Sequence, residues 1–256
     1  MTVAMGAAGS HYIFCDGQLL VRAGGLEPAG EEALPELRKT REILDSFTVR
    51  PQGFLATGVF GAAEDPPPGF AWVRVRVLIG AESPWAGAAC RALGMLNWRA
   101  THRFCGVCGG PMEEHPVEMA GKCAACGHVE YPAISPAVIV RVEKEGKILL
   151  GRHVQRIPDL YTCLAGYVEV GESAEECVRR EVREEAGIEV SGVRYAGSQH
   201  WPYPNQLMLA FVAQWKSGDI RLQPEELSDA QWFDPSDLPN IPPEGSVAYR
   251  LIHGLI

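Results

Sequence analysis

The chain has no run of about 18 uninterrupted apolar residues, the length a membrane-spanning helix needs, so no transmembrane segment and no membrane partner are expected. Its start, Met1 to Phe14, lacks the basic stretch followed by an apolar stretch that marks a secretory leader. Positive charge is scarce: 23 Lys and Arg stand against 32 Asp and Glu, a formal net charge of −9 at pH 7. Proteins that hold nucleic acid by a broad electrostatic field are normally basic, which sets that class aside. A local basic cleft for phosphates is still allowed. Internal repeats and low-complexity tracts are missing as well, which excludes solenoids and arrays.

The 256 residues suffice for one large domain or two medium ones with a real core, and 46% hydrophobic with 21% charged residues is ordinary for a globular chain. Eight cysteines are present, four of them gathered into two pairs. Cys15, Cys90, Cys163 and Cys177 are scattered in apolar surroundings and read as buried thiols, which fits a reducing, cytoplasmic setting.

Composition divides the chain into an N-terminal domain over 1–100, a cysteine-rich insert over 101–132 and a C-terminal domain over 133–256. Strand-like runs are expected at Tyr12–Cys15, Phe54–Phe60 and Phe70–Ile79, and a helix from about Pro84 to Ala100, where Ala88, Ala92, Met95 and Leu96 fall near 3.6 spacing. Beyond Ala133 the pattern predicts a hairpin (Ala137–Val142, Lys147–Leu150), a helix at Ala174–Ala186, strands at Val193–Gln199 and Met208–Trp215, and a helix near Val247–Ile256. The fold class is α+β, a mixed sheet between helices.

Cys105 and Cys108 form one CxxC turn, Cys123 and Cys126 a second, with fourteen residues between the pairs. Two such turns each present two thiolates and together close a tetrahedral zinc site. A redox pair or a disulfide is the competing reading. With four thiolates filling the coordination sphere no position is left for water, so a Zn²⁺ held here is structural.

Between Gly166 and Ile188 lies a carboxylate-rich segment. Ser173 followed by Glu176 is a capping box that opens a helix, and Gly187 fits its C-terminal stop. Glu181, Glu184 and Glu185 are spaced i, i+3 and i+4, so their carboxylates share one face and repel one another unless a cation sits among them. Hard oxygen ligands of this kind suit Mg²⁺ or Mn²⁺. The bland alternative is a solvated acidic helix whose glutamates pair with Arg179, Arg180 and Arg183.

The frame around that helix resembles the Nudix box, Gly-x5-Glu-x7-Arg-Glu-U-x-Glu-Glu-x-Gly-U with U aliphatic. Every specified position matches: Gly166, Glu172, Arg180, Glu181, Val182, Glu184, Glu185, Gly187 and Ile188. The resemblance implies a Nudix fold, a mixed β-sheet sandwiched between α-helices, preceded by the zinc ribbon and an N-terminal α+β domain. It makes Glu181, Glu184 and Glu185 the catalytic metal ligands, one of them orienting the water, and Glu172 and Arg180 an ion pair that fixes the loop to the helix.

Ser198-Gln-His-Trp-Pro-Tyr-Pro-Asn-Gln206 is a rigid aromatic loop that either stacks a flat base or caps a core. It resembles the Ser-Gln-x-Trp-Pro-Phe-Pro-x-Ser array of NADH pyrophosphatases, with Tyr203 in place of Phe and Gln206 in place of the last Ser. That resemblance implies substrate contacts from Gln199, His200, Trp201, Pro202, Tyr203, Pro204, Asn205 and Gln206, together with Arg76, Glu118, Tyr131, Tyr167 and Ala248. It adds Ala165, through its carbonyl, and Glu226 to the Mg²⁺ or Mn²⁺ ligands, with Glu225 the alternative to Glu226. The implied activity is metal-dependent cleavage of the NADH or NAD⁺ diphosphate to nicotinamide mononucleotide and AMP, and removal of NAD caps from RNA 5′ ends, by a cytoplasmic homodimer. ADP-ribose or another nucleoside diphosphate derivative is the rival substrate class. The rival from outside enzymology is a zinc-ribbon module that binds RNA or protein through an inactive Nudix domain, against which the intact glutamate triad speaks.

Overall fold

A computed structural model describes residues 10–154 and 158–256; the first nine residues of the expected N-terminal domain lie outside the described residues. The chain forms two compact units, Met1–Ala133 with Pro202–Asn205, and Ile134–Trp201 with Gln206–Ile256.

In the first unit β1 (His11–Cys15) and β2 (Gln18–Arg22) form a hairpin. Its Asp16-Gly17 turn has φ of 48° and 68°, the positive pair that matches strand twist. After a short 3-10 turn, α1 (Leu34–Thr40) leads into β3 (Ile43–Val49), β4 (Phe54–Val59) and β5 (Phe70–Arg74), and the sheet runs β3-β4-β1-β2-β5. Ile13, Cys15, Leu20, Leu34, Leu37 and Val59 pack as its core.

The expected strand over Phe70–Ile79 is corrected: β5 stops at Arg74 and α2 takes Val75–Gly80. Val75, Leu78 and Ile79 are the buried residues of α2, a spacing of i, i+3, i+4 that a strand of period two cannot bury on one side. The expected Pro84 helix appears as α3 (Ala86–Thr101), burying Ala88, Ala92 and Met95, with Leu96 half-buried. The cysteine-rich segment follows as a three-stranded antiparallel sheet, β6 (Met112–Glu114), β7 (Gly121–Cys123) and β8 (Val129–Glu130).

The second unit is built on a mixed sheet. Its strands are β9 (Ser135–Lys144), β10 (Lys147–His153), β11 (Leu164–Tyr167), β12 (Glu189–Trp201), β13 (Gln206–Ser217) and β14 (Leu227–Phe233), ordered β12-β13-β9-β10-β14 with β11 also on β9. Only β9 and β13 run parallel. Alternation along β9 splits the core. Val138, Val140 and Val142 face α4 (Ala174–Ala186) through Cys177, Val178, Val182 and Ala186. Ile139 faces α5 (Val247–Ile252) through Val247, Leu251 and Ile252. The sheet is therefore sandwiched between helices, as expected.

Both long strands outrun their expected limits at each end, since β12 and β13 carry polar residues there and periodicity fades. The last helix is shorter than expected, ending at Ile252, because Gly254 takes the left-handed φ of 65°. Cys15, Cys90, Cys163 and Cys177 are all free and buried, as predicted. Among the described residues, no helix is long and apolar enough to cross a membrane.

Candidate active site and zinc centre

The four expected zinc ligands come together. All four Sγ atoms lie within 4.8 Å of one another, with Cys108 to Cys123 at 3.5 Å and Cys105 to Cys126 at 3.8 Å. A tetrahedron with about 2.3 Å zinc–sulfur bonds has edges of about 3.8 Å, so the spacing suits one ion and is far too long for disulfides. Each pair is backed by an amide pointing at sulfur: Val107 N–H to Cys105 and Cys126 N–H to Cys123, both at 3.4 Å. The Cys123 thiol is lowered to about 6, chiefly by the Cys126 backbone N–H, which favours the thiolate a metal binds.

In the second unit, the box begins on β11, whose Gly166 pairs with Val138 of β9. A Cβ built on Gly166 would lie 1.9 Å from the Glu181 carboxylate, so only glycine lets the helix carboxylate approach the strand. The loop then enters α4 through the capping box foreseen in the sequence: Ser173 Oγ accepts from Glu176 N–H at 3.3 Å, and the Glu176 carboxylate accepts from Ser173 N–H at 2.7 Å. Gly187 ends the helix with φ of 70°.

Arg180 ties loop, strand and helix together. Its Nε and Nη2 donate to the two Glu172 oxygens at 3.1 and 2.6 Å, Nη2 also to the Tyr167 carbonyl at 2.9 Å, and Nη1 to Glu181 and Glu184 at 2.8 and 3.1 Å. All five guanidinium hydrogens are thereby engaged. The Arg180 partnership drops Glu172 to about 2, with the Glu169 N–H donating to the same carboxylate at 2.8 Å.

Glu181 and Glu185 lie on the sheet-facing side of α4, 9% and 1% exposed, whereas Glu184 is exposed. Burial raises the Glu181 carboxyl, opposed by Arg180 and reinforced by the charges of Glu184 and Glu226. Of the two acidic neighbours in Pro224–Leu227, it is thus Glu226 whose charge Glu181 feels. Such a set, two buried carboxylates with two more nearby, has a strong need for positive charge. Arg180 supplies one; the oxygen-only donor set fits a hard divalent cation. Ala165 sits half-buried beside Gly166 on β11, Tyr167 is 49% exposed at its end, and Ala248 is buried in the core under α5.

The β12–β13 connection divides between the units. Pro202–Asn205 belong to the first, where the Asn97 amide donates to the Pro202 and Pro204 carbonyls at 3.4 and 3.2 Å, Arg76 N–H donates to Tyr203 Oη at 3.2 Å, and the Asn205 amide donates to the Ala133 carbonyl. Asn97, whose part no local pattern announced, holds this loop from α3. Arg76, Glu118 and Tyr131 are exposed residues of the same unit; the Glu118 N–H donates to His115 Nδ1. In the second unit, His200 and Trp201 end β12, half-buried. Gln199 spends both ends of its amide on the start of α5, donating to the Gly245 carbonyl at 2.9 Å and accepting from Val247 N–H at 2.8 Å. Gln199 thereby braces the end of β12 against the start of α5.

Residues 132–255 match the family described as NUDIX domain, and residues 100–131 match the NADH pyrophosphatase zinc ribbon domain. The chain is 44% identical over 182 residues to the NAD-capped RNA hydrolase NudC of Salmonella heidelberg (strain SL476), covering 71% of both chains. The protein of that name from Salmonella typhi is similar to the same degree, at 44% over 182 residues and 71% of both chains. A crystal structure of a NUDIX hydrolase from Nitrosomonas europaea gives a TM-score of 0.49 at 25% identity, covering 59% of this chain and 86% of that one. Four convergent thiolates before a Gly166–Glu181 contact and an Arg180-braced carboxylate helix agree with the two domain matches and the Salmonella relatives: the chain belongs to the Nudix hydrolases, in the group that carries an NADH pyrophosphatase zinc ribbon.

Proposed function

We propose that this hydrolase adds water across the diphosphate of NADH and NAD⁺, releasing nicotinamide mononucleotide and AMP, and cleaves the same bond in NAD caps at RNA 5′ ends. The observation that carries this reading is the complete box, with Glu181 seated against Gly166 and Glu185 buried on the same helix, followed by the Ser198–Gln206 array. The relatives named NAD-capped RNA hydrolase support the substrate class.

In this reading Glu181, Glu184, Glu185 and Glu226, with the Ala165 carbonyl, would hold Mg²⁺ or Mn²⁺. When bound, the cations neutralise charge on the diphosphate oxygens and lower the pKa of water. The chain's own residues do the placing. Gly166 gives Glu181 its close seat, Arg180 and Glu172 lock the loop, and one glutamate accepts the proton of the attacking water. Tyr167, half exposed at the end of β11, offers a ring to a flat base, a contact worth about 1–3 kcal/mol in comparable stacking. The zinc held by Cys105, Cys108, Cys123 and Cys126 is structural. Residues 1–100, 101–132 and 133–256 then serve as N-terminal domain, ribbon and catalytic domain of a cytoplasmic homodimer.

A panel of NADH, NAD⁺, ADP-ribose and NAD-capped RNA, each with Mg²⁺ and with Mn²⁺, tests the proposal. AMP released from NADH or from capped RNA at a higher kcat/KM than from ADP-ribose is the expected result; the reverse order overturns it.

A further inference from the structure

We propose that Gln206 is a positioning residue: its side-chain amide holds the Tyr167 hydroxyl and so fixes the tilt of the ring that Tyr167 offers to the substrate. The inference rests on the reading of the chain as a dinucleotide hydrolase and assigns Gln206 a role other than direct substrate contact.

The placement follows from the sheet. Ala137 of β9 pairs with Tyr167 on one side and with Met208 on the other. Ala165 and Met208 pack in the core under α5, so by the alternation of strands Tyr167 and Gln206, two residues from each, lean to that same face. Gln206 stands two residues before Met208, diagonal to Tyr167, and its Nε2 donates to Tyr167 Oη. Gly166, with its neighbours' faces reversed, points at Glu181 on the α4 side. The end of β11 thus sends one residue to the Glu181 carboxylate and leaves the next half exposed on the opposite face.

Chemistry makes the pair specific to this chain. The array that Ser198–Gln206 resembles ends in Ser, which is too short to span the neighbouring strand; Gln206 is long enough. A phenylalanine at 167 would give the amide nothing to hold. The tyrosine ring is 49% exposed, so without a tether its rotamers are free and must be frozen each time a base stacks on it. Pre-fixing a side chain that binding would otherwise immobilise improves affinity by about two- to tenfold.

The test is a double-mutant cycle on the full-length, zinc-loaded protein with NADH and Mn²⁺: wild type, Gln206→Met, Tyr167→Phe and the double variant, with a thermal melt for each. Gln206→Met keeps size and loses the amide; Tyr167→Phe keeps the ring and loses only the hydroxyl. The expected result is that each single change raises KM about two- to tenfold with kcat little altered, and that the double change is no worse than either single one. Additive KM effects show that Gln206 acts on substrate directly and overturn the proposal. So does a loss that falls on kcat together with melting temperature, which marks scaffold. Where Gln206→Met does not fold, an unchanged KM in Tyr167→Phe is by itself sufficient to overturn it. Absence of NADH turnover in the wild type is a separate outcome, which refutes the substrate reading and not the Tyr167–Gln206 coupling, then read from the affinity of each variant for AMP.

Discussion

Replacing Gly166 by alanine should separate catalysis from stability. The added Cβ would fall 1.9 Å from both Cδ and Oε1 of Glu181, and ordinary contact begins at 3.4 Å, so the carboxylate must retreat by about 1.5 Å. Gly166 itself is held in the β11–β9 ladder, which leaves the side chain to move. The carboxylate is the far end of a flexible chain, so its retreat costs about 0.5–1.5 kcal/mol of rotamer strain, plus a weakened 2.8 Å bond from Arg180. A displacement of that size at a group that positions the reaction lowers rate by about a hundredfold. NADH turnover at saturating Mn²⁺, followed as AMP release, should therefore drop about a hundredfold while the melting temperature falls only a few degrees. A Gly166→Ala protein with kcat within about threefold of wild type would refute the argument that the glycine exists to seat Glu181.

Three further outcomes are expected. Glu185→Gln, an isosteric change at a 1% exposed carboxylate, should lower kcat by orders of magnitude and leave the metal-free protein as stable as wild type or slightly more so, checked by NADH kinetics beside a melt. Elemental analysis should find about one zinc per chain, and Cys123→Ser should lose it and unfold at lower temperature, because thiolate–metal bonding is coupled to folding. Glu172, lowered from 4.5 to about 2 by Arg180, contributes stability that is complete above pH 4.5 and is lost as pH falls towards 2. Urea midpoints of wild type and Glu172→Gln should accordingly differ most at pH 6 and converge near pH 2; a constant gap would remove the ion pair as its cause.

Helix α4 is legible because its signals are local: Ser173 and Glu176 cap within one turn, Gly187 must be left-handed, and three glutamates three and four apart share a face. The zinc quartet was legible for the same reason. What escaped was set by partners distant in sequence. Val75–Ile79 reads as a strand until the rest of its unit decides which three residues are buried. The bracing of α5 by Gln199 is invisible locally, because the partners of its amide lie some fifty residues on. Strands β11 and β14 are short or polar enough that only pairing with β9 and β10 reveals them.

Strand β9 also constrains how the length of this chain can change in evolution. Over Ala137–Val140 it pairs with β11 on one side and β13 on the other, residue for residue. Removing one residue from that stretch would shift its pairing with both neighbours, and with a period of two every side chain past the deletion would change face. The valines that pack against α4 and the isoleucine that packs against α5 would exchange faces, so both halves of the core would be disrupted at once. Insertions and deletions are thus expected to accumulate in surface loops such as Gly61–Gly69, while the six residues from Ser135 to Val140 keep their number in any descendant that still hydrolyses its substrate.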